Sequence, residues 1–358
     1  MKRDRNLDLI RCAAVILVLF LHFIASSGWY DMPNLGFAHW FMNLLRALFI
    51  NCVPLFLLLT GYLCCRKELS ARYYLGLVRI YVIYLLSCLA SLLTRGLILG
   101  ESISLRDAVG GIFNHYANDY SWYVSMYTGL FLMIPFLNLA WKGLATKRRR
   151  LVLVWTMIYL TAVPTLTNLY LHIYEVWWPR LYPLAYFFIG AYLREYRRKL
   201  QPGRLALGLA LALVGAATLN YFMSTPGVFA WMDCSWYDGF ETMGTSVLIF
   251  LLLLNLDLSR CPAWLDKGIR GLSGLSFSVY LFSRVTDLLL YHLGRRLIPA
   301  GDVWVYAYLF CALASLLACI PLAWLAETLA RPLTRWLSSA LSTLACRLAA
   351  ACKRFSGA

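Results

Sequence analysis

The sequence predicts an all-α, polytopic membrane protein, a bundle of about ten transmembrane helices with both termini in the cytoplasm. The first observation behind this prediction is composition, because 61% of the 358 residues are hydrophobic and only 14% are charged. The second is a series of apolar runs, each about 20 residues long, which is the length needed to cross the hydrocarbon core of a bilayer. The third is the uneven distribution of basic residues between the segments that join these runs.

Ten apolar runs are long enough to be membrane spans. They lie near residues 7–28, 40–65, 78–99, 121–141, 151–172, 181–197, 205–223, 241–256, 273–292 and 303–329. Because the number of spans is even, we expect both ends of the chain on the same side of the membrane.

The basic residues indicate which side that is. Each predicted inner segment, including both termini, carries three or more Lys or Arg residues, whereas the predicted outer segments share only Arg95, Arg106, Arg180, Arg295 and Arg296. Cytoplasmic loops are enriched in Lys and Arg, so this asymmetry predicts a multi-pass protein with cytoplasmic termini. The net charge of +16 therefore reflects topology, and we expect no nucleic acid partner.

The chain contains no long polar block, so we expect one transmembrane domain over 1–330. The stretch 331–358 looks like an amphipathic helix on the cytoplasmic membrane surface, and we interpret it as a tail. Most of the eleven cysteines fall inside spans, and no Cys/His group has zinc spacing. We predict neither a disulfide framework nor a metal site.

The first span carries a polar stripe. Asp8, Arg11 and His22 share one helix face, because eleven residues at about 100° each return to nearly the same direction. His22 lies about 22 Å into its span, in the outer half of the bilayer. An ionisable residue at that depth is a candidate functional residue, although a neutral histidine bonded to a neighbouring helix is an equally good interpretation from the stripe alone. Asp8 and Arg11 lie near the cytoplasmic surface, where an ion pair would explain them, and we count both with His22 as candidate catalytic residues.

Two predicted outer segments are rich in polar and aromatic residues. Segment 100–120 contains three acidic residues, His115 and Asn118, and segment 224–241 contains Asp233, Trp236, Asp238 and Glu241. Such residues can hold a sugar, through hydrogen bonds to its hydroxyls and stacking against its ring. An interfacial aromatic belt with solvated charges is the simpler interpretation for most of them.

Five motifs, in order along the chain, resemble those of the acyltransferase 3 family of bacterial membrane O-acyltransferases. They are RNLDLIR at 5–11 running on to His22, NCVPLFLLLTGYL at 51–63, WYVSMYTGLF at 122–131 with PFLN at 135–138, FFIGAYL at 187–193 and LSFSVYLF at 275–282. The first is similar to the family pattern of an arginine, ten residues and a histidine. The third motif is similar to the corresponding segment of family members that acetylate surface polysaccharides.

Three positions depart from the family pattern. Thr60 stands where serine is usual, Ser283 stands where many members have a histidine, and only Arg79 matches the arginine pair that often enters the third helix. The Ser283 substitution weakens a catalytic role for that helix.

The resemblance implies transfer of an acyl group, with acetyl as the family default, from cytoplasmic acyl-coenzyme A to a hydroxyl of an extracytoplasmic glycan or lipid-linked sugar. It also implies residence in the bacterial plasma membrane. His22 would be the general base or a transient acyl carrier, because an imidazole exchanges protons near neutral pH. Arg11, Arg79, Lys67 and Arg72 would bind the coenzyme A phosphates.

Several further residues are candidates for the same site. Asn51, Trp122, Tyr123 and Tyr127 are candidate donors to a tetrahedral oxyanion, with packing or interface anchoring as the alternative. Glu241 begins the eighth span and is a candidate to orient His22 or the acceptor. Two other functions also fit the sequence. One is a proton-coupled transporter of a small solute or lipid-linked sugar, with Asp287 as its coupling residue, and the other is a membrane module that only binds a partner.

Overall fold

The computed structural model describes residues 3–168, 171, 177–224, 227–298 and 301–356, and within these ranges the chain is helical without β-strands. The α-helices of the described chain are α1 (Arg5–Ser27), α2 (Gly36–Phe49), α3 (Cys52–Cys64), α4 (Ala71–Tyr74), α5 (Gly76–Leu93), α6 (Leu105–Phe113), α7 (Trp122–Gly143), α8 (Lys147–Thr161), α9 (Val163–Thr167), α10 (Tyr182–Tyr196), α11 (Pro202–Ser224), α12 (Phe240–Asn255), α13 (Ala263–Leu297), α14 (Gly301–Tyr306) and α15 (Tyr308–Ser356). A π-helical turn over Thr94–Ile98 extends α5, and 3₁₀ turns cover Trp29–Asp31, Asp119–Ser121, Pro179–Leu181 and Asp233–Ser235.

Every predicted span coincides with one or two of these helices, apart from residues 169, 170 and 172, which lie outside the described residues. Among the described residues, eight helical stretches are long and apolar enough to cross a membrane. Two predicted spans are not among them, because α10 has only 15 residues and α13 carries several charged side chains. The all-α membrane bundle is therefore confirmed, while the count of ten and the side of the termini stay predictions.

Helix α1 lies inside the bundle and contacts α2, α3, α12, α13 and α15. It begins after Asp4, whose carboxylate accepts a hydrogen bond from the backbone N–H of Asn6 (3.0 Å). It ends at Gly28, which has a φ of 85° that favours glycine. We call the side of the bundle where α1 begins the amino side and the side where it ends the far side.

A break between α2 and α3 is stabilised by Asn51. Pro54 has no N–H to donate to the preceding turn, so the helix is interrupted there. The Asn51 amide instead donates to the carbonyls of Ala47 (2.7 Å) and Leu48 (3.0 Å). Its oxygen accepts hydrogen bonds from Thr245 and Ser246 of α12. One polar side chain thus completes the broken helix and ties it to a neighbour.

Helices α3 and α10 pack with their backbones in direct contact. A Cβ atom on Gly61 would overlap the carbonyl oxygen of Phe187, and one on Gly190 would overlap the carbonyl oxygen of Leu58. Small residues let membrane helices approach closely where lipid offers no hydrophobic driving force. The two glycines therefore set the distance between α3 and α10.

Helix α15 continues through the predicted boundary at residue 331. It runs from residue 308 to residue 356 with Pro321 and Pro332 inside it, and its described residues after 331 are mostly exposed. Residues 357 and 358 of the predicted tail lie outside the described residues. The separation of a 1–330 domain from a 331–358 tail stays a prediction.

We expect Gly61→Ala to lower the thermal stability of the purified protein, because the new methyl group overlaps the backbone of α10. Overpacking of this kind costs about 1–3 kcal/mol. Thermal unfolding in detergent measures the effect. Gly215→Ala is the matched control, because nothing lies within 4 Å of the Cβ position of Gly215. An unchanged Tm for Gly61→Ala would contradict the close packing of α3 and α10.

Candidate active site

His22 lies on α1 about one turn before the far end of the helix and is enclosed by aromatic rings. Its imidazole stacks on the ring of Tyr120, with centroids 3.5 Å apart and planes at 24°. The Tyr280 ring is tilted against it at 6.1 Å. Its Nδ1 atom is buried and has no hydrogen-bond partner among the described residues. Most buried polar atoms are hydrogen-bonded, so the unpartnered imidazole nitrogen needs an explanation, and a bound ligand or water would supply one.

Tyr120 is itself held from two directions. Its hydroxyl donates a hydrogen bond to Asp287 Oδ2 (2.9 Å), and its backbone carbonyl accepts one from the Tyr280 hydroxyl. Asp287 also accepts a hydrogen bond from Ser315 of α15 (2.5 Å). The position of the His22 ring is therefore determined through Tyr120 by α13 and α15.

The backbone on both sides of Tyr120 is fixed to α13. The buried amide of Asn118 donates to the carbonyl of Leu281 (2.9 Å). The Arg284 guanidinium pairs with Asp119 (2.5 Å) and lies 5.5 Å from the centre of the Tyr120 ring. A positive charge thus lies next to the ring that covers His22.

A cavity of about 300 Å³ opens on the amino side of His22, and we call it the Arg11 cavity. Its wall includes Val18, one helical turn before His22 on the same face of α1, and Tyr280, which contacts His22. The polar side chains of the wall are Arg11, Thr60, Arg79, Tyr123, Tyr127, Ser273, Ser276 and Tyr280. The cavity therefore joins a basic region near the start of α1 to the aromatic rings around His22.

A second cavity, of about 560 Å³, lies closer to the amino-side surface and shares Arg11, Leu63, Ser273 and Gly274 with the first. We call it the Arg3 cavity, because Arg3 and Arg194 also line it. The two cavities meet at Arg11.

Two buried carboxylates orient the arginines of these cavities. Asp8 accepts hydrogen bonds from Arg11 (3.1 Å), Arg3 (2.6 Å) and Ser273 (2.7 Å). Asp8 therefore orients the Arg11 guanidinium, and its hydrogen bond with Ser273 links α1 to α13. In the same way, Glu327 of α15 accepts from Arg79 (2.5 Å) and from Ser278 (2.6 Å).

A third cavity, of about 630 Å³, lies on the far side, and we call it the Arg106 cavity. Its charged lining residues are Arg95, Glu101, Arg106, Asp107, Asp119 and Arg284. Asp119 and Arg284 are also the residues next to Tyr120. His22 and its covering ring therefore lie between cavities that belong to opposite sides of the bundle.

The structure brings together only some of the predicted site residues. His22, Arg11, Asp8, Arg79, Tyr123 and Tyr127 all lie at or around the Arg11 cavity. Lys67 and Arg72 are exposed and line none of the three cavities. Trp122 faces away from the Arg11 cavity and stacks on Tyr237 (5.5 Å).

Asn51 and Glu241 belong to a different part of the molecule. Asn51 already donates both amide hydrogens to the carbonyls of α2, so neither is left for an oxyanion. Glu241 accepts from Asn220 (3.0 Å) and lines a small polar pocket with Arg46, without contact to His22. The position of Asn51 favours a structural role, whereas Glu241 keeps one buried carboxylate oxygen without a partner, in a pocket that does not include His22.

Sequence reasoning missed Tyr120, Tyr280 and Glu327 as members of the site. Glu327 had a usable signal, because a carboxylate within an apolar run needs a partner. Tyr280 lies in the LSFSVYLF motif, which gave it a weak signal, whereas Tyr120 had none, since 23 tyrosines occur in the chain and only the packing of the Asp119–Ser121 turn on α1 distinguishes it.

Among curated proteins and among solved structures, no significant match to this chain was found. The model of a protein family described as an acyltransferase domain, acyltransferase 3, matches residues 4–324. That match includes α1, the helices of the Arg11 cavity and the segment that forms the Arg106 cavity. The chain is therefore a multi-pass membrane protein of the acyltransferase 3 family.

Proposed function

We propose that this protein transfers an acyl group, acetyl by preference, from cytoplasmic acyl-coenzyme A to a hydroxyl of an extracytoplasmic glycan or lipid-linked sugar. The observation that carries the proposal is the unpartnered Nδ1 of His22, buried between cavities on opposite sides of the bundle. An acyltransferase with its donor on one side and its acceptor on the other needs such a group between them.

The Arg3 and Arg11 cavities suit the donor. Arg3, Arg11 and Arg194 present positive charge near the amino-side surface, where coenzyme A phosphates would bind. The Arg11 cavity beyond them is mostly apolar, with Arg79 in its wall, and suits the slender pantetheine arm. Arg11 to His22 is about 16 Å along α1, so the thioester would arrive deep in the bundle. Lys67 and Arg72 remain candidates for contacts outside these cavities.

His22 supports the chemistry in either of two ways. As a general base it would accept the proton of the sugar hydroxyl while that oxygen attacks the thioester carbonyl carbon, and the carbon–sulfur bond would then break with the proton passing to the sulfur. As a nucleophile it would first take the acyl group, releasing the thiol, and then pass that group to the hydroxyl. Tyr123 and Tyr127, both in the wall of the Arg11 cavity, are the best placed candidates to donate to the oxyanion.

We expect His22→Ala to reduce acyl transfer by at least about 100-fold, because general base catalysis contributes about 10² to 10⁴ in rate. The measurement is thiol release together with label transfer from labelled acetyl-coenzyme A to crude envelope glycan, with protein purified in detergent. His292→Ala is the matched control, because His292 is exposed and lines none of the three cavities.

Near-normal transfer by His22→Ala would contradict both catalytic roles. Binding of acetyl-coenzyme A without thiol release by the wild-type protein would favour a module that only binds a partner. No binding at all would favour a transporter.

We expect Arg79→Ala to raise the KM for acetyl-coenzyme A about tenfold or more, with a smaller effect on kcat. A hydrogen bond to a charged group contributes about 1.5–3 kcal/mol, and 1.4 kcal/mol is a factor of ten. The measurement is thiol release as a function of donor concentration. Arg204→Ala is the control, because Arg204 is exposed on α11 and lines none of the three cavities. An unchanged KM for Arg79→Ala would exclude Arg79 from donor binding.

A further inference from the structure

Helix α6 has two different faces. Leu105, Val109 and Phe113 follow one another at intervals of four residues and are exposed, Leu105 and Phe113 by 80% or more. Arg106, Gly110 and Asn114 have the same spacing on another face and line the Arg106 cavity. A short helix with this pattern lies in the membrane interface with its apolar face toward the lipid. The Arg106 cavity is therefore at the membrane surface, between α6 and the bundle.

The charges of this cavity are balanced, since three arginines and three carboxylates line it. Arg95 pairs with Glu101 (2.7 Å), and Arg284 pairs with Asp119 (2.5 Å). Arg106 makes no ion pair with any described residue, and Asp107 accepts a hydrogen bond from Ser104 (2.7 Å). The charges sum to zero, so the cavity as a whole has no excess of one sign, while the unpaired Arg106 guanidinium can donate hydrogen bonds.

A cavity wall that offers both hydrogen-bond donors and hydrogen-bond acceptors suits the hydroxyl groups of a ligand. A sugar hydroxyl both donates and accepts, so it can bond to a guanidinium and to a carboxylate at the same time. Tyr116 lines the same cavity and is 71% exposed. An exposed ring offers a flat apolar face on which a sugar ring can stack. The volume of about 630 Å³ lies within the usual range of small-molecule sites.

The wall that carries these groups is preorganised. The carbonyl of Gly111 accepts hydrogen bonds from the backbone N–H groups of Tyr116 (2.7 Å) and Ala117 (3.0 Å). His115 between them has a φ of 62°, a conformation that a non-glycine residue adopts only when its surroundings hold it there. Partial burial lowers the pKa of His115, which favours its neutral form.

The cavity is also next to the proposed catalytic residue. Asp119 and Arg284 line it, and the Arg284 guanidinium lies over the ring of Tyr120, which stacks on His22. The Tyr120 side chain thus lies between Arg284 of the cavity and the imidazole. A ligand held here would lie on the other side of the Tyr120 ring from His22.

We propose that the Arg106 cavity is the acceptor site and that it takes an uncharged saccharide unit, held between Arg106, Asp107 and the Tyr116 ring. This assignment rests on the proposed acyltransferase function. The assignment predicts that the acceptor is a neutral sugar and that uronates, sialates and sugar phosphates are not acceptors.

The test uses the full-length protein with labelled acetyl-coenzyme A and envelope glycan separated by anion exchange into neutral and acidic fractions. We expect label in the neutral fraction. We expect Arg106→Gln and Tyr116→Ala each to raise the KM for that fraction about tenfold, with a smaller effect on the KM for acetyl-coenzyme A. Arg296→Gln is the matched control, because Arg296 is exposed on the far side and does not line the cavity.

The outcomes separate the two proposals. Wild-type protein that releases no thiol and transfers no label overturns the proposed function and this assignment with it. Transfer to the acidic fraction overturns the neutral class, even where the variants raise the KM. Transfer by wild type with an unchanged KM in both variants overturns the site assignment alone and leaves the proposed function standing.

Discussion

The polar stripe of α1 is the constraint on which the rest of the bundle depends. Asp8 and His22 lie on a helix that would otherwise face hydrocarbon, where each is costly unless another helix satisfies or encloses it. Helix α13 contacts both ends of the stripe. Ser273 donates a hydrogen bond to Asp8 at the first end, and Tyr280 packs on His22 at the second, where Asp287 also holds Tyr120 in place. The polarity that makes α13 a poor membrane span by composition is the polarity that α1 requires.

The same constraint explains how His22 is positioned without a direct hydrogen bond to Nδ1. Tyr120 covers the imidazole, and its contacts to α13 in turn orient it. Buried polar networks stabilise one arrangement only when their members are satisfied, and Asp287, Ser315 and Tyr120 satisfy one another. The imidazole Nδ1 beside this network has no hydrogen-bond partner among the described residues, and it is the atom that the proposed acyl transfer would use.

Close backbone packing elsewhere keeps the site open. Gly61 and Gly190 bring α3 and α10 together, and Asn51 satisfies the break before α3. Helix α3 also forms part of the wall of the Arg11 cavity through Val53, Phe56 and Thr60. A rigid α3 therefore supports a cavity that side-chain packing alone would tend to close.

The sequence by itself determined the all-α membrane class, the helix positions and the family, because apolar length, basic asymmetry and ordered motifs are local properties of the chain. It also identified His22, Arg11 and Asp8 as one stripe, since helical periodicity alone aligns them. Only the tertiary structure decided which residues surround that stripe. Tyr120 lies 98 positions after His22 and Glu327 lies 248 after Arg79, so their contacts depend on how the Asp119–Ser121 turn packs on α1 and how α15 packs on α5. Asn51 and Glu241 were further candidates in the sequence, and packing placed them in other polar clusters, because a motif specifies side-chain chemistry but not the partner that uses it.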